Sequence, residues 1–500
     1  MPAVNDPVGL PERKPWTSGM APAYIGTFLW VAFFDGLGPN VLPTGGLAPA
    51  LGGVVAAGIL AYLLLYRVPA SWGFTSRRPL DDLAGATFGT KGALLVPNLL
   101  IGLGQVGLFA VGLGYATDFL LGGLVNWGLI EPRVLRPVAW GGTMVPAPLF
   151  LTAALLWGTI AALGGVKIVG WIAAIMQYFP VFPAVGLALA VAATFTGLTG
   201  FRPSGIDPST GTLVAPDLGA RLAFLAAFQW TFAFTALLGI TGADWGAASL
   251  SLADVRKGGW IGLAVAPIVV ASLALLAVAG HEGKVQQRAE VAADAVPRGS
   301  SLPGPRSIDS APLPIPAPTA AFGRYTFRAA LEGGLERRVA ATILLVFGLA
   351  SLAPVCYAAH EFSRRFARIV PSFSPLAWTL VGIASGWLLI VGGWSERTDV
   401  VFPVLGALFA PVAGAIVATS PRRRDLGPDQ ADAQVNPAGL LAWGAGVAVG
   451  LAPLLARAVG AAGLARVPVA SLLAFLAAFL VYRVAAAVGL EPRAATPRSA

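Results

Sequence analysis

Apolar stretches of about twenty residues recur along this chain, separated by short segments rich in proline, glycine or charge. About twenty apolar residues in a helix span the ~30 Å hydrocarbon core of a bilayer. The pattern predicts spans over residues 23–42, 47–66, 93–121, 148–164, 168–196, 222–250, 261–279, 340–360, 375–391, 400–418, 439–459 and 467–486. Lipid offers no hydrogen-bond partner to an open backbone, so each span is expected to be a helix. The fold class that follows is an all-α polytopic membrane protein with about twelve transmembrane helices.

Lysine and arginine test that register. With the amino terminus on the cytoplasmic side, the inner segments and span ends hold 18 of the 33 basic residues, from Arg13 and Lys14 to Arg498. The short outer segments hold 7: Arg133, Arg136, Arg202, Arg221, Arg397, Arg457 and Arg466. The other 8 fall in residues 281–338. This is the positive-inside bias, and a missed or extra span early in the chain would scramble it. Both termini are therefore expected in the cytoplasm, with the protein in the inner or plasma membrane.

The same reading divides the chain. Residues 1–22 form a cytoplasmic segment without a cleavage site before the first apolar run. Residues 23–280 hold spans one to seven, 339–420 spans eight to ten, and 421–488 two further helices, before a cytoplasmic tail at 489–500. Residues 281–338, rich in proline and serine and without apolar period, read as an extended outer loop.

Composition narrows the function. Of the residues, 56% are apolar and 11% charged, against roughly a quarter charged in soluble domains. The net charge of +9 follows the topology rule rather than forming a nucleic-acid patch, so no nucleic-acid partner is expected. One cysteine, Cys356, allows no intrachain disulfide. The two histidines, His281 and His360, cannot build a catalytic metal centre. No enzyme motif is present, and no organic cofactor or resident metal is expected beyond sodium as a coupling ion. GLGQVG at Gly102–Gly107 has the dinucleotide-binding spacing but lies inside an apolar span; close helix approach accounts for it.

The informative polar residues lie in the spans. Asp35 interrupts the first, in FFDGLGPN; Asp118 lies near the end of the third and Asp244, in TGADWG, near the end of the sixth. A carboxylate in hydrocarbon is costly and faces a cavity, a partner or the interface. His360, Glu361, Arg364 and Arg365 read as a solvated end of the eighth span carrying an ordinary ion pair, or as a proton relay. Glycine and proline predict breaks in the first span at residues 35–39 and in the sixth at 238–242. Two interrupted spans five apart are the signature of a transporter built from inverted repeats. On one face of the third span, Gln105, Leu108, Gly112 and Tyr115 align.

These motifs resemble a family. FGTKG at Phe88–Gly92 and GLGQVGLFAVG at Gly102–Gly112 are similar to the F-G-x-K-G and G-x-x-Q-V-G-W-F-x-V-G of cytosine permeases, in the nucleobase–cation symporter family. FFDGLG, TGADWG and LFAPVAGAIVA resemble its first, sixth and tenth spans. The resemblance covers nearly the whole chain apart from residues 281–338. It implies a LeuT-like fold of two five-helix inverted repeats plus two accessory helices, alternating access, and cation-coupled uptake of a nucleobase or related ring. It places Gln105 on the substrate's hydrogen-bonding edge and Leu108 where the family has a stacking aromatic. It puts Phe234 and Thr235 on the sixth-span polar–aromatic pair. Of the eighth-span oxygen donors only Ser351 remains, and the first-span serine beside the sodium site becomes Asp35. Trp30, Phe34, Asp35 and Ser351 are the cation-site candidates, with proton or sodium as the coupling ion. The leading reading is a cation-coupled permease for a small solute. The alternatives are a transporter of a cationic amine with Asp35 as counter-ion, and a non-transporting membrane sensor. The lipid bilayer and the small solute are the expected partners.

Overall fold

The computed structural model describes residues 13–19, 35–140, 143–167, 181–207, 211–294, 325–423, 434–461 and 467–492. Trp30, Phe34 and most of the first span lie outside these, as do residues 168–180 of the expected fifth span and residues 295–324 of the outer loop. Among the described residues, ten helices are long and apolar enough to cross a membrane, and Pro375–Val391 is a shorter apolar one. These eleven fall on the second to twelfth expected spans; of the first, only the end from Asp35 is described.

In chain order we label α1 Leu37–Gly45, α2 Leu47–Ser76, α3 Leu80–Phe88, α4 Thr90–Trp127, α5 Pro148–Lys167 and α6 Val181–Gly200. Next come α7 Pro216–Ile240, α8 Gly242–Ala247, α9 Leu252–Val291 and α10 Phe327–Gly334. The chain continues with α11 Arg337–Ala350, α12 Leu352–Ile369, α13 Pro375–Val391, α14 Thr398–Arg423, α15 Pro437–Ala458 and α16 Ala470–Ala487. A small antiparallel hairpin, Val138–Trp140 with Thr143–Val145, lies between α4 and α5.

The helices pack as two groups. In one, α1 and α2 pack on α7, and α2 on α9. In the other, α4 packs on α11 and α12, while α5 packs on α12 and α13. Helix α14 leans on α7 and carries α15 and α16. Glycines let these neighbours approach closely. A Cβ at Gly102 would lie 2.8 Å from the Phe366 ring, and one at Gly104 2.9 Å from Phe409, so the glycine-rich motif of α4 is a packing surface.

The spans break where the backbone can be satisfied in another way. The sixth breaks at Thr241, between α7 and α8, within the expected interval. In the first span α1 begins at Leu37, inside the interval 35–39, after a wide turn at Asp35 and Gly36; the residues before Asp35 lie outside the described ones. Pro39 sits in the first turn of α1, where a missing N–H costs nothing, and Gly36 is needed because a Cβ would meet the Trp230 ring at 2.6 Å. The eighth span breaks at Ser351, which the apolar pattern does not reveal. Pro97 is taken up in α4 by a wide π turn, Leu94–Leu99, the usual accommodation of a lost N–H.

Two ends differ from expectation. Helix continues beyond α9 to Asp294, and α10 is a separate helix, so residues 281–338 are not simply an extended loop. The eighth span runs to Ile369, which places His360, Glu361, Arg364 and Arg365 inside the helix.

Short helix α8 lies backbone to backbone on α2. Gly73 faces the Ala243 carbonyl and Gly246 faces the Ala70 carbonyl, neither leaving room for a methyl group. Gly246→Ala should therefore cost about 1–3 kcal/mol through overpacking. Gly85→Ala, with no atom within 4 Å of the new Cβ, should be neutral or mildly stabilising. Thermal unfolding of the two variants in detergent checks the contrast.

Candidate functional site

Among the described residues, two ion-paired clusters, around Arg328 and around Arg365, lie toward opposite ends of α4, with Gln105 between them. Along α4, Asn98, Gln105 and Asp118 mark the three levels, separated by about 10 and 20 Å of helix.

The region between the clusters centres on Gln105, 3% exposed. Its amide makes no hydrogen bond among the described residues. A buried amide without a partner is uncommon in a folded protein. Leu108, one turn on, is buried in the same apolar cluster as Trp230 and Phe234 of α7 and Phe402 of α14. Phe402 meets Trp230 at 5.6 Å and Phe234 at 6.0 Å between ring centroids. These rings form an aromatic wall against which Gly36 of the first span rests. The sequence singled out Phe234 but missed Trp230 and Phe402; an unbroken apolar helix does not reveal which aromatic faces inward.

Two other candidates are turned elsewhere. The Thr235 hydroxyl donates to the Thr231 and Phe232 carbonyls of its own helix, at 2.9 and 3.0 Å. Ser351 Oγ donates to the Gly348 carbonyl at 2.6 Å, closing the end of α11.

The layer toward α10 is built on Asp35 and Asp118. Asp35 Oδ1 accepts the Phe327 and Arg328 backbone N–H groups at 2.7 and 3.2 Å. It therefore caps the N-terminus of α10, where orphan donors and the helix dipole favour a negative charge. The Arg328 guanidinium donates through Nη1 to both oxygens of Asp118, at 2.7 and 2.8 Å, and through Nε to Glu332 at 2.9 Å. Burial opposes the Arg328 charge, but Asp118 and Glu332 outweigh it and hold the guanidinium above its ordinary range. Tyr115 lies beside Thr398 and within the field of Asp35 and Asp118. Nearby Glu396 is pushed above the ordinary carboxylate range by burial and by the charge of Asp118.

The opposite layer is centred on Arg365, whose side chain is 0% exposed. It donates through Nη1 to Asp81 Oδ1 at 2.5 Å and Asn98 Oδ1 at 2.9 Å, and through Nη2 to Asp244 Oδ2 at 2.9 Å. Glu361 lies 3.5 Å from Nε, Arg364 pairs with Glu361 at 3.0 Å, and Arg368 pairs with Asp81. The other oxygen of Asp244 accepts the Leu80 N–H at 2.8 Å. This is no solvated helix end: a fully buried arginine joins α12 to α3, α4 and α8. A buried charge persists only when its hydrogen-bonding groups are met. Asp118 and Asp244 are thus each held in ion pairs with arginine, which sequence spacing alone could not assign because the partners are distant in the chain. Among the described residues, no group of three or more His, Cys, Asp or Glu could hold a metal ion.

No protein-family model matches the chain, and no curated protein does. Solved structures do. One is Mhp1, a nucleobase-cation-symport-1 family transporter, in a closed conformation with bromovinylhydantoin bound: TM-score 0.64, 14% identity, 98% of this chain and 97% of that chain covered. The inward-facing conformation of Mhp1 matches at TM-score 0.63, 14% identity, with 98% and 96% covered. A substrate-bound, outward-open Na+-coupled sialic acid symporter matches at TM-score 0.57, 13% identity, with 96% and 92% covered. The chain has the LeuT-like fold of these transporters, as its motifs implied.

Proposed function

We propose that this protein is a secondary active transporter that moves a small, flat solute of mixed hydrogen-bonding edges by alternating access. The observation that carries the proposal is Gln105, a nearly buried residue whose amide has no hydrogen-bond partner among the described residues, between two ion-paired clusters. An amide offers both a donor and acceptors, and the aromatic wall of Trp230, Phe234 and Phe402 offers faces for a planar ring. A nucleobase or related heterocycle fits that chemistry, and the shared fold with a hydantoin-bound transporter supports it. Gln105, Leu108 and Phe234 are the substrate-facing residues in this reading, with Thr235 supporting the turn of α7 behind them. The two packed helix groups supply the bodies that move against each other, and the ion-paired layers supply the closures at either end.

The coupling ion in this reading is a proton carried by Asp35. Sodium favours a cage of oxygen ligands, and of the oxygen donors that the resemblance places on the eighth span only Ser351 remains, already bonded to its own helix. A cationic-amine substrate is disfavoured because the Asp35 carboxylate is engaged by the N-terminus of α10 rather than open toward the aromatic wall. A sensor without transport would bind the same solute but not accumulate it.

Two experiments test the proposal. A thermal-shift screen of nucleobases, hydantoins and amines should find its stabilising ligands among the neutral heterocycles. Gln105→Leu should then weaken binding of the best ligand about tenfold or more, from loss of a buried hydrogen-bonded pair, with the unliganded melting temperature unchanged; equal affinity rejects Gln105 as the recognition group. In proteoliposomes, a pH gradient should drive accumulation of that ligand. Asp35→Asn should abolish accumulation while permitting solute exchange. Sodium-dependent, pH-independent uptake that survives Asp35→Asn would contradict the coupling assignment.

A further inference from the structure

Between α4 and α5 the chain leaves the helices and exposes apolar side chains on the small hairpin and the turn before it. Leu129 is 72% exposed and Met144 67%, and Trp127, Val134 and Val138 are exposed as well. Across the ribbon Val138 pairs with Val145, and Ala139 with Met144. Paired residues share a face and successive residues alternate between faces. One face therefore shows Val138 and Val145, the other Ala139 and Met144, and both are apolar. A two-stranded ribbon has no core of its own and is marginal in water. Exposed apolar surface gathered in one place marks a contact with a partner or a membrane.

Its place in the fold decides between the two. The turn Pro132–Leu135 packs on α5. The second strand ends at Val145 and α5 begins at Pro148, a gap of at most ~10 Å. Of the ten membrane-spanning helices α5 is the least buried, with 28% of its apolar stretch inside the protein. It turns Leu149, Leu155, Leu156 and Ile160 outward, so its open face is a lipid face. The hairpin stands at the end of that face, where hydrocarbon gives way to headgroups. Its outer edges carry unpaired backbone N–H and C=O groups, which hydrocarbon does not tolerate and the headgroup region can meet. The charges agree with that level. Arg133 is paired with Glu131, while the exposed Arg136 side chain makes no ion pair among the described residues.

We propose that this hairpin is a membrane-surface anchor: both faces of the ribbon lie in the headgroup region beside α5, and Arg136 holds the phosphate of an anionic lipid. A guanidinium meets a phosphate through parallel charge-assisted hydrogen bonds. Trp127, at the end of α4, stands at the level where indole rings collect in membrane proteins. A second copy of the chain would cover one face of the ribbon and leave the other apolar face in water. Headgroups and the first acyl carbons surround a thin ribbon on both sides, which is what two apolar faces require. The anchor fixes the depth of α4 and α5 in the bilayer, and it is independent of which solute the protein binds.

Spin labels read the depth of the hairpin directly. In a Cys356→Ser background, labels are placed one at a time at Val138→Cys and Met144→Cys, on opposite faces of the ribbon, in the full-length protein. Two controls bracket them. Leu156→Cys, outward on α5, reports hydrocarbon. Glu290→Cys reports water, because α9 has 40 residues and its ~60 Å carry this end past the bilayer. All four positions are exposed, so the labels leave the packing intact. In vesicles containing phosphatidylglycerol, collision with oxygen and with a water-soluble nickel chelate should place both hairpin labels between the two controls. Arg136→Gln should raise their accessibility to nickel about two- to fivefold. A label at either position that matches the Glu290 control overturns the proposal. So do labels shielded from both oxygen and nickel, which would mean a protein contact. Nickel accessibility unchanged by Arg136→Gln rejects the phosphate contact.

Discussion

A charge inside a bilayer must be paired, because the surrounding hydrocarbon offers neither water nor dipoles. Much of this molecule's arrangement follows from that constraint. Arg365 can be fully buried because Asp81, Asn98 and Asp244 meet its guanidinium at hydrogen-bonding distance. Those partners come from α3, α4 and α8, so satisfying one side chain ties three elements to α12. Arg328 does the same at the other end with Asp118 and Glu332. Removing one partner of fully buried Arg365 strands its charge at a cost of about 3–5 kcal/mol; the partly exposed Arg328 set costs less. Opening either end therefore requires water to enter and take the partners' place.

Between the layers the chain uses a different chemistry. Gln105 is polar without being charged, so it can be buried unpaired at a cost of about 1–3 kcal/mol rather than the much larger cost of an ion. A solute with matching edges recovers that cost on binding. The aromatic wall adds area without adding charge. Glycines set the spacing of the helices: where α2 meets α8 the backbones approach so closely that a methyl group would not fit, and where α4 meets α14 Gly104 makes room for the Phe409 ring.

Much of the fold was legible in the sequence, because bilayer thickness sets span length and positive charge sets orientation. Both are one-dimensional signals. The break at Thr241 was legible through its flanking glycines, but the role of Gly36 was not: a glycine can loosen a helix or let a ring such as Trp230 lie against it, and only the neighbour decides. The break at Ser351 carries no glycine of its own. Within the site, Gln105 stood out because it is polar in an apolar run. Trp230 and Phe402 did not, since aromatic residues are common on lipid-facing and inward faces alike. Arg365 was misread as a solvated end because its partners Asp81 and Asp244 are more than a hundred residues away in the chain. Asp35 was legible as special, yet its partner, the N-terminus of α10, is made of backbone and leaves no mark in the sequence.

The central claim is that the two ion-paired layers close opposite ends of one pathway and do not open together. Spin-label distances test it most directly. In a Cys356→Ser background, one pair, Lys257→Cys with Ser372→Cys, reports the end near Arg365. A second pair, Glu290→Cys with Leu129→Cys, reports the end near α10. Asp244→Asn removes a partner of Arg365 and should shift the first pair toward longer distances while the second stays short. Lowering the pH should lengthen the second pair while the first stays short. Distance distributions that lengthen at both ends together, or that respond to neither change, would contradict the account.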